Sequence, residues 1–183
     1  MELVKQKQNL KILKIVSIIF LGTILLAISA KIKIPFYPVP MTMQTFVVLF
    51  IGITFGWKIS VSTISLYLFE GIIGLPVFSG TPEKGIGFIY FTGPTMGYLI
   101  GFLVASFLAG YMNFKENIFF IFIKLILAVS TIYIFGILWL GYLIGWDKPI
   151  LQLGVMPFLL AELFKISLLT LITKKISTLK KFI

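Results

Sequence analysis

IFFIFIKLILAVSTIYIFGILWLGYLI, residues 118–144, runs for 27 residues with Lys124 as its one charge. A helix that crosses the hydrocarbon core of a bilayer needs about 20 predominantly apolar residues, whereas a water-exposed helix of this length must carry a polar face. This stretch has length to spare and no such face, so it reads as a membrane span. The whole chain agrees, being 59% hydrophobic and only 12% charged over 183 residues. Such a composition does not describe the surface of a soluble domain.

Working outward, the same test finds apolar runs near 12–30, 43–57, 59–73, 94–112 and 155–173. The reading is one all-α, polytopic membrane domain over 1–183, a six-transmembrane-helix bundle whose second and third helices form a tight hairpin at Gly56, Trp57 and Lys58. Six crossings put both ends of the chain on one side. That side then carries Lys5, Lys7, Lys11, Lys14, Lys58, Lys115, Lys124, Lys174, Lys175, Lys180 and Lys181, against Lys31, Lys33, Lys84 and Lys148 on the other. The excess makes both termini cytoplasmic by the positive-inside rule, in a multi-pass protein of the cell membrane. Lys124 is close enough to the cytoplasmic end of its span for its stem to reach water. The first span also follows a basic segment, as a secretory signal does, but Ile28 suits poorly the small-residue position before a cleavage after Ala30, so the span is expected to stay.

With neither cysteine nor histidine in the chain, disulfides, imidazole bases and the usual zinc sites are excluded. No phosphate-binding G-x-x-x-x-G-K-[ST] loop and no G-x-S-x-G elbow occurs, so an enzymatic role is not expected, nor a cofactor or a metal, and any ATP-driven step needs another subunit. The net charge of +10 finds its nearest partner in anionic headgroups of the lipid bilayer, not in nucleic acid.

Two connections are too apolar for plain solvent loops. In KIKIPFYPVPMT, residues 31–42, three prolines forbid regular helix and should hold the segment extended, presenting Phe36, Tyr37 and Val39. In residues 74–94, Phe78, Phe88, Tyr90 and Phe91 offer apolar surface to a bundle underneath, or to a membrane interface. The fourth run repeats a small residue every fourth position, Gly93, Gly97, Gly101, Ala105 and Ala109, a stripe along which backbones can approach. A weaker version in the first run, Gly22, Thr23 and Ala27, could serve this bundle or a partner subunit.

The last run sets Glu162 and Lys165 three residues apart, and each charge costs roughly 2.5–3.5 kcal/mol near a helix centre. Three residues on a helix are separated by about 60° around the axis, so both face one cavity. The pair either neutralises itself with help from Thr42, Gln44 or Ser65, or completes a polar ligand site. Gln44 can both donate and accept and suits a ligand of mixed polarity. Glu70 could hydrate at the interface, pair with Lys31 or Lys84, or line the same cavity.

The stretches IPFYPVPMTMQTF (34–46), LYLFEGIIGLPVFSG (66–80), TGPTMGYLIGF (92–102) and MPFLLAELFK (156–165) together resemble the BioY family, the biotin-binding membrane subunits of energy-coupling factor transporters. The resemblance covers about residues 20–172. It implies a substrate-specificity subunit that captures biotin from the extracellular side and associates with a transmembrane coupling protein and two ATPase subunits. That family usually has aspartate where this chain has Glu162, a departure of one methylene, while Lys165 matches. A ureido ring then finds an acceptor in Glu162 and a donor in Lys165, with Phe78 and Tyr98 packing the rings and Gln44 nearby. Arginine is absent, so a ligand carboxylate would meet Lys84 or the amides and hydroxyls of the second connection. A specificity subunit for another small vitamin, and a non-transporting membrane scaffold, remain as alternatives.

Overall fold

A computed structural model of the chain describes residues 2–182, apart from the side chains of residues 2–4, 7, 181 and 182; Lys7 and Lys181, counted in the charge asymmetry, lie outside the described side chains. The fold is all-α but for one small hairpin. Helix α1 (Glu2–Lys31) leads into β1 (Lys33–Ile34) and β2 (Met41–Thr42), antiparallel with Lys33 opposite Thr42 and Ile34 opposite Met41. Helices α2 (Gln44–Phe55) and α3 (Trp57–Ile72) meet at Gly56, whose φ of 82° is open to glycine and strained for other residues. A long connection with a 3-10 turn at Gly87–Thr92 precedes α4 (Met96–Tyr111). Then follow α5 (Ile118–Ile144), the short α6 (Ile150–Gly154), a 3-10 turn at Met156–Phe158 and α7 (Leu159–Ile176).

Helix boundaries depart from the apolar runs for local reasons. Residues 2–11 are rich in lysine, glutamine and leucine, good helix formers, so α1 starts well before the run at 12. Pro94 and Pro157 cannot continue a helix backwards, and α4 and α7 start just after them. Three segments, Gln8–Lys31, Ile118–Ile144 and Ile150–Lys180, are long and apolar enough to cross a membrane, while Gln44–Phe55 and Met96–Tyr111 are apolar but shorter. Outward-facing Leu13, Phe20 and Leu21 on α1, Phe119 and Ile134 on α5, and Leu160, Phe164 and Leu171 on α7 give the bundle an apolar exterior. Lipid tolerates such a surface and water does not.

Inside, α4 is the central helix. A Cβ on Gly97 would fall 2.3 Å from the Phe135 carbonyl oxygen, and one on Gly101 would fall 2.5 Å from Ile132 Cα, so α4 and α5 meet backbone to backbone. Ala105 and Ala109 are fully buried, and Gly52 of α2 lies against Ala109. The small-residue stripe is therefore internal packing, with Gly93 just before the helix giving its carbonyl to Trp139 Nε1 at 2.8 Å. Several buried hydroxyls are satisfied within the bundle: Thr63, Thr170 and Thr173 donate to carbonyls of their own helices, and Ser60 donates to the Ser106 carbonyl across α3 and α4, whereas Thr54 Oγ1 on α2 has no partner among the described residues. Lys124 donates to Asn113 O and pairs with Glu116 at 2.7 Å, reaching back past the start of α5 as a snorkelling side chain does.

The first small-residue cluster turns inward as well. Gly22 faces Thr63 of α3, with a Cβ there falling 2.6 Å from its methyl group, while Thr23 is buried and Ala27 packs on the core. At one end of the bundle Lys11, the 56–58 corner and Lys180 line a single recess. The opposite end carries the β-hairpin and the long connection. Replacing Gly101 with alanine should force α4 from α5 and lower stability by about 1–3 kcal/mol, read as a fall in the thermal unfolding midpoint of the detergent-purified protein.

Candidate functional site

The site grows from α7. Glu162 and Lys165 lie one turn apart and are both buried, 6% and 5% exposed, and their side chains form an ion pair. Facing them is the start of α2, where Thr42 and Thr45 carry the same three-residue spacing. Thr45 Oγ1 donates to Glu162 Oε1 at 2.8 Å; Lys165 Nζ donates to Thr45 Oγ1 at 2.6 Å, to the Thr42 carbonyl at 3.0 Å and to Glu162 Oε1. All three ammonium donors are thus engaged. Two of these bonds end on Oε1, and Tyr133 lines the same cavity as the carboxylate. A charge that is both paired and hydrogen-bonded can persist in a low-dielectric interior.

Glu162 lies in the wall of a cavity bounded by the β-hairpin, the long connection and helices α2, α4, α5 and α7. Phe78, Tyr90, Tyr98, Tyr133 and Phe158 make its aromatic lining; Gln44, Thr45, Ser79 and Thr95 add polar groups. Gln44 Nε2 donates to Tyr67 OH at 2.8 Å, and Tyr67 OH donates to Val77 O, tying α2 to the long connection. Tyr98 OH donates to Gly154 O at 2.8 Å, and its ring lies against Gly136. Thus Gln44, Phe78, Tyr98 and Glu162 come together on one cavity, with Lys165 directly behind Glu162.

The connection folds back as its aromatic residues suggest. Phe78, Tyr90 and Phe91 are buried and Phe88 is exposed. Phe78 enters because residue 71 is glycine: a Cβ there would fall 2.0 Å from the ring. Tyr90 stacks on Phe78 with ring centroids 4.7 Å apart and donates to the Ser79 carbonyl at 2.8 Å; burial raises its phenol above the ordinary range, which keeps it a donor. Lys31, at the end of α1, clasps the connection, donating to Phe78 O, Thr81 O and Thr81 Oγ1 at 3.0–3.2 Å. Lys84 is exposed, its stem lying over Gly80, and is not among the residues lining the cavity; neither is Glu70, which is half-buried. In the proline-rich segment Val39 is buried on the cavity, Phe36 packs edge-on against Phe158, and Tyr37 points outward.

Several lining residues escape sequence reasoning, Thr45, Tyr133 and Ser79 among them. Thr45 could have been found from the matched spacing of 42 and 45 with 162 and 165. Tyr133 sits in an apolar run and gives no sign. Ser79 is the most informative: its Oγ is buried and has no hydrogen-bond partner among the described residues. A buried hydroxyl on a cavity wall, left unpaired, is costly unless something in the cavity meets it.

Known proteins match this chain over most of its length. The BioY family model matches residues 5–182. The chain is 32% identical to a probable biotin transporter BioY of Pyrococcus horikoshii over 89% of this chain and 96% of that protein. It is 33% identical to a probable biotin transporter BioY of Rickettsia prowazekii, over 94% and 88%, and 31% identical to a biotin transporter BioY of Thermotoga maritima, over 86% and 92%. Among solved structures, the S-component for biotin from an ECF-type ABC transporter superposes with a TM-score of 0.77 at 26% identity, covering 93% of this chain and 94% of that one.

The Lys31 clasp has a direct readout. Lys31→Met removes three charge-assisted hydrogen bonds from the 78–81 turn, and amide hydrogen exchange there should accelerate by at least about tenfold while exchange in α4 and α5 stays unchanged.

Proposed function

The chain belongs to the BioY family, and from that membership we propose that it captures biotin as the substrate-binding subunit of an ATP-driven importer, working with a transmembrane coupling protein and two ATPase subunits and catalysing no reaction itself. The observation that carries the reading is a buried carboxylate, Glu162, held by Thr45 and Lys165 in the wall of an aromatic cavity. The cavity's lining, aromatic side chains with a few convergent polar groups, is of the kind that small-molecule sites have. Biotin presents a ureido ring with two N–H donors and one carbonyl, an apolar thiophane ring and a carboxylated tail. Glu162 accepts from a ureido N–H. Lys165 orients that carboxylate, and the ureido oxygen competes with Thr45 for one of its donors. Phe78 and Tyr98 pack the rings. Gln44 and the unpaired Ser79 hydroxyl serve the remaining polar atoms, with the Ser79 turn better placed than Lys84 to meet the tail.

In this reading helices α1–α5 and α7 make six crossings of the cell membrane in one integral domain, with both termini cytoplasmic and the cavity opening outward. The lysine asymmetry supports it, as does the shared recess of Lys11, Lys58 and Lys180 at one end of the bundle. The short α2 and α4 reach across with help from the hairpin and the long connection.

Titration of purified protein with biotin tests the assignment. Glu162→Gln should weaken binding by roughly 10–150-fold, the worth of a hydrogen bond to a charged group, and Ser79→Ala by a smaller factor. The paired change Glu162→Leu with Lys165→Met separates ligand binding from scaffolding. Replacing both members of a buried pair by apolar residues is often nearly neutral for stability. The double variant should therefore unfold near the wild-type temperature yet lose biotin; undiminished affinity would sink the role of the pair, and preference for another vitamin in a competition panel would sink the choice of ligand.

A further inference from the structure

At the end of the bundle away from the cavity, an open recess lies between α1, the corner joining α2 to α3, and the C-terminal segment. Three lysines line it, one from each element: Lys11, Lys58 and Lys180. None of the lining residues is acidic, and the ion pairs among the described residues belong to other lysines, Lys124, Lys148 and Lys165. Lys180 is fixed by a hydrogen bond to the Gly110 carbonyl at 3.0 Å, and Lys58 Nζ stands 5.6 Å from the Trp57 ring centroid. Gathering three like charges around one recess is unfavourable unless an anion shares it.

The apolar part of the lining says which anion. Ile15 and Ile19 follow Lys11 at successive four-residue steps, so cation and apolar side chains form one stripe up α1 at about 6 Å per step. Ile59 and Phe55 continue the apolar wall beside them, and Trp57 sits at the mouth, where an indole suits the boundary between headgroups and acyl chains. Charge at one end and hydrocarbon running away from it is the order of a phospholipid. We infer that this recess binds one anionic glycerophospholipid, its phosphate between Lys11, Lys58 and Lys180 and an acyl chain along Ile15 and Ile19. The inference does not rest on the identity of the ligand in the main cavity.

The test uses the full chain in nanodiscs of equal parts phosphatidylglycerol and phosphatidylcholine, with release into native mass spectrometry to count retained lipid. Wild-type protein should keep one phosphatidylglycerol in preference to phosphatidylcholine by about tenfold, and Lys11→Gln, Lys58→Gln, Lys180→Gln together should abolish that preference. A charge-matched control, Lys115→Gln, Lys174→Gln, Lys175→Gln, should retain it, and both variants should keep wild-type affinity for the main-cavity ligand, which shows that they fold. Displacement by excess glycerol phosphate, without any acyl chain, would overturn the lipid assignment in favour of a free phosphate. Equal retention by the recess variant and the control would overturn the site. Unchanged retention together with lost co-purification of partner subunits would overturn it in favour of a protein surface.

Discussion

A carboxylate and an ammonium one turn apart in an apolar helix are the constraint to which the rest of this structure answers. Each alone is expensive in a bilayer, and their mutual attraction offsets the cost only when the remaining donors and acceptors are also satisfied. Thr42 and Thr45 do this from the start of α2, and in doing so they fix where α2 meets α7. The carbonyl of Thr42 is available because the chain arrives there as a β-strand, with Lys33 paired opposite. That arrival follows from Pro35, Pro38 and Pro40, which exclude helix between Lys31 and Met41. A proline-rich segment distant in sequence thus places one of the acceptors that hold Lys165.

The same end of the bundle depends on two further local permissions. Glycine at 71 leaves room for the Phe78 ring, which then meets Tyr67, Tyr90 and Phe91 within 5.4 Å of centroid distance. Lys31 then bonds the turn that carries Phe78 and Ser79. Since Lys31 is the last residue of α1, the covering loop is linked to a helix whose other face is turned to the surroundings. Ser79 Oγ, alone on the cavity wall, is a by-product of that arrangement, its own carbonyl being taken by Tyr90.

Much of this was legible in sequence, for reasons that can be named. Apolar length gave the helices, because period and hydropathy are local properties, and it missed their ends only where propensity or proline intervened, as at residues 2–11 and 157. Gly97 and Gly101 announced a close approach of helices, because small residues four apart have few other uses, but not that α5 is the partner. Glu162 with Lys165 was legible because charge in hydrocarbon needs a reason. What sequence could not give was the choice among equivalent side chains. Lys31 and Lys84 were both offered to Glu70, and Lys31 instead bonds the 78–81 turn, beside which α1 stops. Gly22, Thr23 and Ala27 were open to two readings, and contact with Thr63 turns them inward. Tyr133 looks like any other residue of its run until the fold sets it beside Glu162.

The cavity has two kinds of wall, and their difference follows from packing. Between α4 and α5 the backbones touch at Gly97 and Gly101, so no side chain stands between them to change rotamer and make space. That wall has one arrangement. The opposite cover is held by the Lys31 hydrogen bonds, a few aromatic contacts and a two-rung hairpin, groups that can exchange with water or lipid headgroups singly. The α4–α5 face is thus the more tightly packed of the two walls, and it holds Tyr98 and Tyr133 in fixed relation, their rings edge to face with centroids 6.0 Å apart.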